Sequence, residues 1–286
     1  MMMHTKRQNI FLIPVFSILL IWNTVYSQTV DEVIAYADMQ YAGGNYRVAA
    51  KEFQRAYFFA AKKQLSSLSM RIGDSYFAMQ DYEKATSFYQ KAVRFERDDS
   101  LRVEALFKKV SSEILQGDYL LALMDLKSYR LSMNANQVQV QQFLYGMAYF
   151  GKEDFENAEI SFLNTLDSSE VEKRNAIIDI FSKKRKYMSP NPKTAMWMSL
   201  ALPGLGQLYA GDIKNSFNSF VLTAGLMFLA AYISYEYSLV DAVVGVAPWL
   251  QRYYTGGYTH AEDIAFKKRQ KKRDKTFRRI YHVLMD

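Results

Sequence analysis

The sequence predicts an all-α protein in two parts, an α-solenoid of tandem helical hairpins followed by a helical transmembrane module. Three observations carry the prediction. A motif of about fourteen residues occurs four times at nearly constant spacing. An apolar run at 216–235 contains no charged residue. Helix breakers are scarce, with 5 Pro and 13 Gly in 286 residues, while 21 Tyr and 19 Phe supply ample material for a core and argue against disorder.

The charge divides as the architecture does. Residues 28–182 carry 18 Lys/Arg and 22 Asp/Glu, a net of −4, whereas residues 183–286 carry 16 and 7, a net of +9. The basic half is also the apolar half, which argues for a membrane surface and against a nucleic-acid partner. Cysteine is absent, which excludes disulfides and thiolate metal sites. At the N-terminus, Lys6 and Arg7 precede an apolar stretch at 10–22, and Ser27 offers a small residue at a cleavage point. That is the pattern of a secretory signal peptide over 1–27, with an uncleaved anchor as the alternative. Either way the residues beyond 28 are expected across a bacterial inner membrane, in the periplasm.

The repeat is read from GGNYRVAAKEFQRA (43–56), MQDYEKATSFYQKA (79–92), QGDYLLALMDLKSY (116–129) and KEDFENAEISFLNT (152–165). Tyr46, Tyr82, Tyr119 and Phe155 align. Ala49, Ala85, Ala122 and Ala158 follow three places later, and Phe53, Tyr89, Leu126 and Phe162 four places after those. The alanine permits close helix approach and the following large side chain fills the groove beside it. Asn45, Asp81, Asp118 and Asp154 are placed to make the turn and cap the second helix. On the first helix, Ala37, Gly73, Val110 and Gly146 hold the matching close-contact position.

This skeleton resembles the tetratricopeptide repeat family over about residues 30–166, without its first-helix Trp and terminal Pro; generic stacked hairpins are the plainer alternative. The resemblance implies a concave face lined by first-helix side chains, here Asp38, Tyr41, Met70, Asp74, Phe77, Ser111, Ile114, Phe143, Met147 and Phe150, offered to a protein or peptide partner. Ordinary packing between repeats is the competing role for each.

The solenoid with a capping helix is assigned to 28–188 and a linker to 189–194, where SPNPK breaks the helical pattern. A membrane module follows at 195–256 and a polybasic helical tail at 257–286. The run 216–235 is long enough to span a bilayer, and 239–250 is a shorter apolar stretch. With the repeats outside and the tail inside, the number of crossings is expected to be odd, although a two-span hairpin would bring both basic clusters to one face. PGLGQLYAG (203–211) resembles a Pro-Gly-x-Gly-Gln-x-Tyr signature of small bacterial membrane domains of unknown function. Its members here are Pro203, Gly204, Gly206, Gln207, Tyr209 and Gly211. A structural kink is one expectation for it and a lipid or substrate site the other, with Gln207 satisfying backbone groups that the break exposes.

In the tail, Lys267, Lys268, Arg269, Lys271, Lys272 and Arg273 are expected to meet anionic lipid headgroups. No HExxH, GxSxG or paired metal-ligand spacing occurs, so neither an enzyme nor a cofactor is expected. The sequence thus points to a membrane-anchored envelope scaffold. The alternatives are a transport or lipid-handling component with regulatory repeats, and a homo-oligomer built by stacking.

Overall fold

The computed structural model describes residues 28–129 and 131–285; the expected signal segment, 1–27, lies outside them. Every regular element among the described residues is helical, fifteen α-helices and one 3-10 turn. They form two compact units, one ending at Met133 and the other spanning Asn134–Asp286. The division therefore falls inside the expected 28–188 array and not at the Pro-rich linker.

The first unit holds three hairpins: α1 (Val30–Ala42) with α2 (Tyr46–Phe59), α3 (Leu65–Ala78) with α4 (Tyr82–Phe95), and α5 (Asp99–Gln116) with α6 (Tyr119–Ser128). Each helix packs on the next in chain order. Thr29 opens α1 with a capping box to Glu32. Asp81 caps α4 by accepting from the Lys84 amide, whereas Asn45 and Asp118 make no side-chain cap, so the expected capping role belongs to half of the turn residues. The turn has a second constant feature. The residue before each of these positions has positive φ, at Gly44 (78°), Gln80 (60°), Gly117 (96°) and Glu153 (68°).

The small first-helix residues fit their partners by volume. A Cβ on Gly73 would stand 2.6 Å from the Tyr89 ring, and one on Gly146 2.5 Å from the Phe162 ring. Where the large partner shrinks to Leu126, the small residue grows to Val110, and both are fully buried. The bulk of Val110 in this register is thus a compensated pair.

The second unit begins with the fourth hairpin, α7 (Ala135–Gly151) and α8 (Phe155–Thr165), continued by α9 (Val171–Ser182) and α10 (Lys184–Met188). Then come α11 (Pro192–Ala201), α12 (Leu205–Tyr209), α13 (Ile213–Glu236), α14 (Leu239–Gly245) and α15 (Ala247–Met285). The 39 residues of α15 extend for about 58 Å. They pass unbroken through position 256/257, where the sequence sets a boundary. One half of α15 packs on α11 to α14, and its C-terminal end packs on α9 and α10. That return makes the fourth hairpin part of the C-terminal unit: Ile280 is fully buried in one core with Phe150, Phe162 and Phe181.

Candidate binding sites

The first candidate is the hairpin face of the first unit. Asp38 pairs with Arg71, and Asp74 accepts from Lys108 Nζ at 2.8 and 3.0 Å and from the Tyr89 hydroxyl at 2.7 Å. Asp38 and Asp74 stand in register, as do Arg71 and Lys108, so each acid ties its hairpin to the next. Being partly exposed, each such pair contributes no more than about 1 kcal/mol. These two acids are therefore already engaged. Ser111 continues the register but donates to the Phe107 carbonyl at 2.8 Å, and Ile114 is buried. Tyr41 is exposed and meets Tyr46 edge-on at 5.2 Å, Phe77 meets Tyr82 at 5.5 Å, and Met70 is half-buried. Tyr41, Met70 and Phe77 remain the accessible part of the expected face.

The same unit buries an ionic triad that the repeat pattern does not announce. Lys109 pairs with Asp125 and lies 3.2 Å from Glu113, which is fully buried. Burial pushes the Glu113 carboxyl up to about 8, against the opposing pull of Lys109. The charges at 109, 113 and 125 are plain in the sequence, but nothing in their spacing marks them as buried.

In the fourth hairpin the expected face is filled by the chain itself. Phe143 meets Phe162 at 6.1 Å and Tyr281 at 6.4 Å, and Met147 packs against the same core. Phe150 meets Phe277 at 5.8 Å with the Arg273 guanidinium 5.7 Å from its ring centre. Phe150 is a buried core residue here, and Phe143 and Met147 are half-buried against the same core, where Phe277, Ile280 and Tyr281 of α15 cover them.

The tail cations expected at lipid headgroups are largely engaged within the fold. Arg269 and Arg273 both pair with Glu153, Arg273 at 2.8 Å, and Arg273 also donates to the Phe150 and Gly151 carbonyls at 3.1 Å. Lys272 donates to the Ser189 carbonyl at 2.8 Å, Lys268 to that of Ala210 at 2.7 Å, and Lys267 pairs with Asp263 at 2.6 Å. Lys271 is exposed. Both basic clusters line one cavity, Lys183, Arg185 and Lys186 from one side and Lys272, Lys275 and Arg279 from the other. The return of α15 brings these two clusters to the same cavity.

The PGLGQLYAG motif is a lock between three helices. A Cβ on Gly206 would stand 1.9 Å from the Ala195 carbonyl oxygen, so only glycine fits where α12 crosses α11. Gly204 has a φ of 93°, and a Cβ there would meet the Ser216 carbonyl oxygen at 2.4 Å. Pro203 stands in the break between α11 and α12, and Gly211, with a φ of 76°, turns the chain towards α13. Gln207 is buried, accepts from the Ser199 hydroxyl at 2.8 Å and donates to the Gly257 carbonyl at 2.8 Å. It thus satisfies a carbonyl of α15, not the backbone of the break itself. The Tyr209 hydroxyl accepts from the Asn191 amide at 3.1 Å.

Above this lock, α13 inverts the usual burial pattern. Its 24 residues span about 36 Å, enough to cross a bilayer. Its only buried residue is Thr223, while Phe217, Phe228 and Tyr235 are at least 70% exposed. A cavity of about 740 Å³ opens between α13 and α15, lined by Asn218, Ser219, Thr223, Arg252 and His260 among others.

The elements describe an all-α protein with repeat hairpins and one helix suited by length and composition to cross a membrane. The tetratricopeptide repeat family matches residues 67–99, which are α3, α4 and the turn into α5. Repeats of that kind commonly bind protein partners. No curated protein and no solved structure matches the chain.

Proposed function

We propose that this protein is a membrane-anchored scaffold of the bacterial cell envelope, which gathers protein partners on the accessible hairpin face of its first unit. The observation that carries the anchor is α13, apolar outside with a threonine as its one buried residue. A water-soluble helix places its apolar residues inside; this arrangement suits a lipid surround. Export by the N-terminal segment puts the hairpins in the periplasm. The shared cavity of the two basic clusters supports a hairpin whose ends return to one side of the membrane, where cations meet anionic headgroups. The role is binding, not catalysis, and a second reading, lipid handling, is favoured by the polar cavity beside α13.

Two measurements test the scaffold. The full chain should resist alkaline extraction from membranes, and the double variant Leu226→Lys, Phe228→Lys should be released. Photo-crosslinkers at Tyr41 and Phe77 should capture proteins that one at Phe143 does not. Release of the parent chain at high pH would overturn the anchor, and identical capture at all three positions would overturn the partner face.

A further inference from the structure

The cavity between α13 and α15 has the features of a built site. Asn218, Ser219, Leu222 and Thr223 come from one face of α13, and Arg252 and Gly256 from the facing side of α15. The Thr223 hydroxyl is buried and has no hydrogen-bond partner, and neither has the buried Ser219 oxygen. An orphaned buried hydroxyl is costly, so two beside one cavity ask for a ligand that hydrogen-bonds. Thr223 lies ten residues into α13, about 15 Å along the apolar helix. Arg252, an exposed side chain, lines the same space and brings a fixed positive charge to it. Asp263, also in the lining, is paired with Lys267 at 2.6 Å.

The mouth is amphipathic. Leu222 lines the cavity and is also 40% exposed on the apolar outer face of α13, beside Phe220 and Val221. A ligand seated here has its polar end among Asn218, Ser219, Thr223 and Arg252 and its apolar end along α13. Gly257 permits the approach, since a Cβ there would stand 2.9 Å from the Ser219 oxygen. Gly256 faces open space, with nothing within 4 Å of an added Cβ.

We propose that this cavity binds the phosphoglycerol headgroup of an anionic membrane lipid, with the phosphate on Arg252 and the glycerol hydroxyls on Asn218, Ser219 and Thr223. The proposal rests on the membrane-anchor reading. The acyl chains lie along the exposed face of α13 and the headgroup closes the polar gap in the hairpin.

The full chain is assembled into nanodiscs of phosphatidylcholine with a minor share of phosphatidylglycerol, and the retained lipid is counted by native mass spectrometry. Retention of phosphatidylglycerol should exceed its share of the disc about tenfold. Gly256→Leu, whose Cβ would enter open space in the cavity lining, and Arg252→Gln should each abolish that enrichment, and Thr223→Val should reduce it about threefold. Soluble glycerol 3-phosphate at millimolar concentration should displace none of it. Retention in proportion to the disc composition overturns the proposal, as does undiminished enrichment in Gly256→Leu or Arg252→Gln. Displacement by glycerol phosphate would replace the lipid with a free phosphate ester. Failure to enter nanodiscs at all would instead overturn the membrane reading, and Arg252→Gln serves if Gly256→Leu does not incorporate.

Discussion

The third and fourth hairpins share a register but close their first helices in different ways. In the first unit the register position two before Gly73 and Val110 holds a base and the position one after Ala37 and Gly73 an acid, and these pair hairpin to hairpin: Asp38 with Arg71, then Asp74 with Lys108. At the next step the equivalents are Ser111 and Leu144, and the pairing stops. The fourth hairpin finds its partner in α15, through Phe277, Ile280 and Tyr281 and through Glu153 with its two arginines. One repeat skeleton thus serves two purposes. Polar register positions propagate an array, and apolar ones accept a helix from elsewhere in the chain.

Ile280→Asp tests the second half of that comparison and carries the largest expected effect. Its side chain is fully buried, so the variant places a carboxylate in an aromatic core at a cost of about 4 kcal/mol or more. Hydrogen exchange should show protection lost over 134–285 and kept over 28–129. Equal loss in both would mean that the units unfold as one. Lys109→Met tests the first half. It leaves the buried Glu113 and the half-buried Asp125 without their cation, at a cost of about 3 kcal/mol, and the loss should be confined to α5 and α6 and their neighbours.

How much of this was legible in the sequence depends on which physics carried it. The hairpins and their close contacts were, because Gly73 against Tyr89 and Gly146 against Phe162 are local pairs one helix apart. The apolar run at α13 was legible from length alone. The return of α15 was not: the basic residues of 267–279 read as a solvated or lipid-facing stripe, and only the fold shows Arg269 and Arg273 meeting Glu153 about 120 positions away. One signal did exist in the tail. Phe277, Ile280, Tyr281 and Leu284 recur at helical spacing among the cations, marking a face that must be covered. The cavity at Thr223 was hidden for a related reason, since a lone Thr in an apolar run shows its burial only when the facing helix is known.

The buried triad gives the comparison a pH dependence. Glu113 has its folded pKa raised to about 8 by burial, above the ordinary 4.5. A raised acid holds a proton in the folded chain that the unfolded chain has released, so the first unit should lose stability as pH rises from about 4.5 to 8 and level off above. Lys109, raised from its ordinary value despite its burial, adds its own dependence only at higher pH. Glu113→Gln should flatten the decline, with its advantage over the parent growing between pH 5 and pH 8 in denaturant titrations. No change in the slope would mean that Lys109 keeps Glu113 ionised throughout.

The smallest and most discriminating effect concerns the repeat turn, where Gln80 and Glu153 both hold positive φ at the same register position. A non-glycine residue there costs about 1–2 kcal/mol, of which glycine's greater unfolded-state freedom returns about 0.5–1. Gln80 is exposed and its side chain anchors nothing beyond the turn, so Gln80→Gly should stabilise the first unit by about 0.5–1 kcal/mol. Glu153→Gly makes the same backbone change but removes the carboxylate that receives Arg269 and Arg273, whose own side chains are only 13% and 11% exposed. There the lost pairings outweigh the relieved backbone, and the second unit should weaken by about 1–2 kcal/mol. Opposite signs from one substitution at equivalent turns are what separate an array hairpin from one clamped by the C-terminal helix. Stabilisation at both positions would show that Glu153 holds its strained turn for no structural return.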